Sequence, residues 1–155
     1  MNAATIERFY AAFARLDSEA MTACYAEEAR FDDEVFSLSG RRRIGGMWAM
    51  LCSSTRARGL AHWKLQANDI TGHGAHWEAH YLFPATGRMV HNRIDAEFEF
   101  DARGLIVRHR DRFDFWRWSR QALGLPGWLL GWTPFLRRKV RAQAAVNLKR
   151  FLERG

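Results

Sequence analysis

Cysteine is nearly absent: Cys24 and Cys52 are the only two among 155 residues. Two thiols cannot form the disulfide framework on which small secreted domains rely, and they fit a reducing compartment, as inert packing. No apolar run approaches the roughly 18 residues of a membrane span. The opening stretch MNAATIERFYAAFARLD has neither the basic start nor the apolar middle of a secretory leader, so a cytoplasmic location is expected. Repeats, low-complexity segments and a central linker are missing too, and 48% hydrophobic composition over this length suits one globular domain with its own core.

Acidic residues are scarce in one place only. Residues 115–155 carry nine Lys/Arg against the single acid Glu153, so this segment is +8, whereas residues 1–114 sum to −1 and the chain to +7. Such asymmetry attracts phosphates or anionic lipid. With no zinc-finger spacing and no aromatic RNA-recognition motif, a nucleic-acid partner is not expected.

Hydrophobic spacing organises the rest. Ile6, Phe9, Tyr10, Phe13 and Leu16 form one helical face and predict a helix over 5–16; Asp17 or Ser18 caps a second, with Met21, Cys24 and Tyr25 on its stripe. ARFDDEVFSLSG reads as a short strand and turn, and Ile44, Met47, Trp48 and Leu51 mark a third helix. From Leu60 the period becomes two, through LAHWKLQANDI, AHWEAHYLFP, RMVHNRIDAEFEF and LIVRHRDRFDFW, separated by the turns TGHG, PATG and DARG. The order predicts an α+β domain, three N-terminal helices gathered against one curved antiparallel sheet, with a C-terminal helical extension. The predicted division is an α+β domain over 1–116 and a basic, Trp-rich extension over 117–155 packed on it, ending in a helix striped by Val140, Ala144, Leu148, Phe151 and Leu152.

Within HRDRFDFW, residues 109–116, Asp111 shares an alternating line with Val107, His109, Phe113 and Phe115, while Arg108, Arg110, Arg112 and Asp114 form a charged opposite line. On the neighbouring strand Val90, Asn92, Ile94, Ala96, Phe98 and Phe100 are apolar but for Asn92, against Arg93, Asp95, Glu97 and Glu99. The apolar lines must face inward, so Asp111 and Asn92 are expected inside. A carboxylate there needs a partner, a proton or a function, and anchoring a loop by hydrogen bonds would be a purely structural reason for it.

This element order, with FYAAFARLDSEAMTACYAEEARFDDEVF at one end and GLIVRHRDRFD at the other, resembles the nuclear transport factor 2-like superfamily and, within it, the SnoaL-like proteins, over residues 5–116. The resemblance implies a cone-shaped domain over 1–116, the sheet wrapping around the helices and leaving a deep pocket between its concave face and the first helices. It groups the chain with ketosteroid isomerases, polyketide cyclases, epoxide hydrolases, dehydratases and members that only bind or dimerise, so fold alone does not assign a reaction. By this resemblance Asp111 matches the acid/base aspartate of the hydrolases and cyclases, and Asp33 the general base of the isomerases. Phe9 and Ala96 stand where the isomerases keep their oxyanion donors, and Phe31, Asp33, His76 and Glu78 where the hydrolases hold their water.

The expectation is therefore an acid/base enzyme acting on an apolar cyclic substrate, with Asp111, Asp33 and His109 catalytic and Asn92, Glu78, His76, Ile94, Phe98, Phe113 and Phe9 lining the pocket. The alternative is a non-catalytic dimeric module for binding a ligand or another protein. No cofactor is required for such proton transfer. His76, Glu78 and His80 share a strand face and could bind zinc or iron, but their spacing is not the helical zinc motif and no metal is expected. If that face is inward, as the resemblance implies, Trp63, Trp77 and Tyr81 lie on the convex side and predict a homodimer there. Trp128, Leu129, Leu130 and Trp132, flanked by Arg137, Arg138 and Lys139, suit either a lid packed on the cone or contact with a membrane surface. Packing on the cone is the simpler reading.

Overall fold

A computed structural model describes residues 2–155. Helix α1 (Asn2–Ala14) buries the predicted face of Ile6, Phe9, Tyr10 and Phe13. Asp17 then caps α2 (Ser18–Thr22), its side chain accepting the Ala20 N–H at 3.0 Å. Strand β1 (Tyr25–Asp32) follows at once, so Tyr25 opens a strand and is not on the helical stripe where its spacing placed it. A turn leads to β2 (Ser37–Ser39), and α3 (Arg41–Ala57) lays Ile44, Met47, Trp48 and Cys52 into the core. Four strands then alternate with short turns: β3 (Lys64–Asn68), β4 (Gly74–Leu82), β5 (Met89–Phe100) and β6 (Ile106–Arg112).

The six strands form one curved, unclosed sheet in the order β2-β1-β6-β5-β4-β3. It is not wholly antiparallel, as the sequence suggested. β1 pairs with β6 in parallel, Phe31 opposite His109, because the helices and hairpins between them return the chain to its first strand in the same direction. The last strand also stops sooner than expected. Asp114 accepts the Arg117 N–H at 3.0 Å and starts α4 (Phe115–Leu123), which is followed by α5 (Leu125–Leu130) and α6 (Pro134–Arg154). Leu148 of α6 is buried and Leu152 packs beside it against the main core.

One register differs from expectation and carries the largest consequence. On β4, directly paired residues share a face with β5: Trp77 opposes Ile94, Ala79 opposes Asn92, and Glu78 opposes Arg93. Trp77, Ala79 and Tyr81 therefore point into the cone, with Leu65 and Ala67 of β3 beside them, while His76, Glu78 and His80 lie on the convex face. The physical reason is burial: Trp77 packs on Tyr10 and Phe13, with ring centroids 6.0 and 5.4 Å away, displacing far more water than the polar line could. Trp63 is tied to α1 through its indole N–H on the Ala14 carbonyl at 2.8 Å. The aromatic convex surface on which the homodimer was predicated is thus absent, and the outer face of β4 and β5 is charged. Trp77→Glu is accordingly expected to unfold the protein, not to dissociate a dimer. A loss of more than about 3 kcal/mol in urea titration is predicted, against a folded Glu78→Gln control.

Candidate active site

β6 sends His109 and Asp111 into the cone two residues apart, and both are removed from solvent, His109 completely and Asp111 to 3% exposure. They are joined by a hydrogen bond of 2.8 Å between His109 Nε2 and Asp111 Oδ1. A directional chain lies behind them. The Trp48 indole N–H donates to the Tyr25 hydroxyl oxygen at 3.1 Å, and the Tyr25 hydroxyl sits 2.7 Å from His109 Nδ1. With its oxygen already accepting from Trp48, the phenol donates its proton to Nδ1, which leaves Nε2 as the N–H that meets Asp111. Trp77 adds a longer contact of 3.4 Å to the same carboxylate oxygen. The aspartate that alternation placed inside is therefore paired, and the group holding it is a ring wedged between Phe98, 4.2 Å away by centroid, and Phe31, 4.9 Å away.

Tyr10 supplies an element that sequence reasoning assigned only to the core. Its hydroxyl is buried with no hydrogen-bond partner. Burial first, and the Asp111 charge second, push its pKa well above the ordinary phenol value. Its presence on a helical core stripe was the available signal, since a hydroxyl on such a face must find a partner or wait for one. Phe9, its neighbour, is fully buried and meets the His109 ring edge-on at 5.6 Å.

Asp33 occupies the turn after β1, where its Oδ1 accepts the Val35 and Phe36 N–H groups at 2.7 and 2.6 Å. This Asx-type turn explains the residue locally. Burial nevertheless raises its pKa to about 7, assisted by the charge of Asp111 and opposed by those two hydrogen bonds and by Arg141. Asp33 thus senses the charge of Asp111, and the two carboxylates differ in surroundings, Asp111 holding an imidazole and the Asp33 side chain only backbone. Tyr81 belongs to the same neighbourhood: its pKa is pushed up to about 12 by burial, with Asp33 contributing, and its hydroxyl accepts the Trp118 indole N–H at 2.9 Å.

The C-terminal segment meets the cone at this turn. Phe115 and Trp118 of α4 pack with Val90, Tyr81, Phe83 and Val35. Arg141 of α6 donates to the Asp33 and Glu34 carbonyls at 3.4 and 3.2 Å, and Arg137 pairs with Glu34 at 3.3 Å. Of the lining residues read from sequence, Phe9, Asn92, Ile94 and Phe98 are buried inward and Phe113 is half-buried near Trp118. His76 and Glu78 are the exceptions. On the convex face Glu78 accepts from His91 at 2.6 Å and from His76 at 3.1 Å, and His76 Nδ1 meets Asp95 at 2.9 Å. These bonds, that to Asp95 foremost, raise the His76 pKa, and the bond from His91 foremost lowers that of Glu78. They cannot line the interior. Among the described residues no three His, Cys, Asp or Glu side chains are arranged to hold a metal ion.

A curved sheet folded over its N-terminal helices, with a paired carboxylate inside, defines an α+β cone of the nuclear transport factor 2-like kind. Residues 6–109 match the SnoaL-like domain, and the chain belongs to that family. Similar solved structures include a protein from Xanthomonas campestris pv. campestris that is provisionally named a polyketide cyclase, 22% identical, with a TM-score of 0.59 over 77% of this chain and 95% of that one. Bal32a, from a soil-derived mobile gene cassette, is 21% identical with a TM-score of 0.64 over 77% and 95%. An uncharacterised protein of cystatin-like fold from Silicibacter pomeroyi DSS-3 is 14% identical, with a TM-score of 0.60. That match takes in 96% of this chain and 90% of the other, so the likeness extends into the C-terminal helices. No curated protein matches the sequence. No helix among the described residues is long and apolar enough to cross a membrane.

Proposed function

We propose that the protein is a small-molecule isomerase or cyclase acting by proton transfer on an apolar cyclic ketone, polyketide-like ring or related substrate. The observation that carries this reading is the buried His109–Asp111 pair set in electrostatic contact with an aspartic acid of raised pKa. Two carboxylates in different surroundings can divide base and acid roles. Asp111 takes the proton from the carbon next to the carbonyl. Asp33, protonated below about pH 7, gives its proton to the oxygen on which negative charge develops, and the Tyr10 hydroxyl is a free donor for that oxygen. Asp111, after exchanging its proton with water, then protonates the same ring carbon or another one, while the enol hydroxyl returns its proton to Asp33, so that both aspartates are restored. His109 is a positioning residue, its ring fixed by Tyr25 and Trp48 so that Nε2–H orients Asp111. Ile94, Phe98 and Phe113 supply apolar contact. The cyclase names of similar structures agree with this substrate class.

The sign of the pH dependence follows from Asp33. Because its folded-state pKa is raised to about 7, the acid form is present below that value and is lost as pH rises through it. Deuterium exchange into apolar cyclic ketones, followed by NMR, should show a rate that falls as pH rises through about 7. Asp33→Asn should abolish this alkaline limb and lower the plateau. An alkaline limb that persists in Asp33→Asn removes Asp33 from the reaction.

A second reading, a non-catalytic binding module, is favoured by one observation: the interior around His109 is closely filled by Phe9, Tyr10, Phe31 and Phe98, all nearly or fully buried. Ligand binding without exchange or ring chemistry, unaltered by Asp111→Asn, would support it.

A further inference from the structure

We propose that the outer face of the C-terminal segment docks on an anionic membrane surface, independently of the reaction inside the cone. Gly127 and Gly131 are four residues apart and both lie against Ser119 of α4. A Cβ on Gly127 would collide with the Ser119 carbonyl oxygen, and one on Gly131 with its hydroxyl. The two glycines hold α5 flat on α4, and the side chains between and around them are turned outward. Leu125, Trp128, Leu129, Trp132 and Phe135 are all exposed, Trp132 to 70% and Leu125 to 68%. So many large apolar groups within a dozen residues mark an interaction surface, since scattered single ones are what a monomer ordinarily leaves in water.

Charge decides the partner. Arg88, Arg117 and Arg120 line an open groove together with Trp128. The Arg120 guanidinium lies 4.5 Å over the Trp116 ring and 4.8 Å over that of Trp128. Arg138 and Lys139 follow on the first turns of α6, and Glu153 is the only acid after Asp114. Two copies facing each other through this surface would bring arginine against arginine, a juxtaposition that costs free energy. An anionic bilayer reverses the sign: tryptophan suits the headgroup level, leucine and phenylalanine the acyl boundary, and the cations the lipid phosphates. The proposed attachment is peripheral; among the described residues no helix is long and apolar enough to cross a membrane.

The test uses the full chain and vesicles of phosphatidylcholine containing about one third phosphatidylglycerol, with pure phosphatidylcholine as control. The protein should sediment with the anionic vesicles, shift its tryptophan emission to the blue, and be released by added salt. Trp128→Glu/Trp132→Glu and, separately, Arg138→Glu/Lys139→Glu should each weaken vesicle binding about tenfold or more while keeping wild-type circular dichroism and Tm. Absence of sedimentation with anionic vesicles overturns the proposal, as does unchanged binding in both variants. A dimer that the tryptophan variant dissolves, in a protein that ignores vesicles, also overturns it and assigns the face to a second copy.

Discussion

Asp111→Asn is expected to lower proton exchange into an apolar cyclic ketone by about 10²–10⁴-fold, the range typical for removal of a positioned general base. Asparagine keeps the oxygen that accepts from His109 Nε2 and Trp77 Nε1, so the interior hydrogen bonds survive and only the basic group is lost. Circular dichroism and Tm should stay near wild type, separating chemistry from folding. Equal exchange rates in the variant and the wild type would leave Asp111 as an anchor for His109 and nothing more.

His109→Phe should act in the opposite manner, on stability more than on shape. It leaves the Asp111 carboxylate with one long contact to Trp77 and leaves the Tyr25 hydroxyl, which still accepts from Trp48, without an acceptor for its own proton. Leaving a buried group without its hydrogen-bond partner costs about 1–3 kcal/mol, and more for a charged group such as this carboxylate. The double variant His109→Phe/Asp111→Leu removes both polar groups together. It should be less destabilised than the sum of the two single changes by about 1 kcal/mol or more, a coupling that urea titrations of the four proteins would measure. Strict additivity would mean that the two residues do not act as a unit.

Much of this site was legible because β5 and β6 alternate cleanly: a wholly charged line leaves no choice about which face is inside, so Asn92, His109 and Asp111 could be placed from sequence. β4 offered the same information. Trp77, Ala79 and Tyr81 stand against His76, Glu78 and His80, and alternation by hydropathy alone puts the aromatic line inward. The resemblance to hydrolase water ligands argued the reverse, and burial prevailed. Tyr25 was hidden for another reason. Met21, Cys24 and Tyr25 have helical spacing, but α2 ends at Thr22 and Tyr25 begins a strand whose partner, β6, lies some eighty residues away. No local pattern reports a parallel pairing over that distance, so the Tyr25–His109 bond was out of reach. The pairing of Asp33 with the C-terminal segment was hidden likewise, since Arg141 reaches its carbonyl from a helix more than a hundred residues on.

The division of labour between two aspartates is the centre of this account, and the most direct measurement of it is a carboxyl ¹³C NMR titration of the wild-type protein beside Asp33→Asn. A carboxyl resonance with a midpoint of about 7 that disappears in the variant is predicted. An Asp33 resonance that titrates near the ordinary carboxylate value would contradict it.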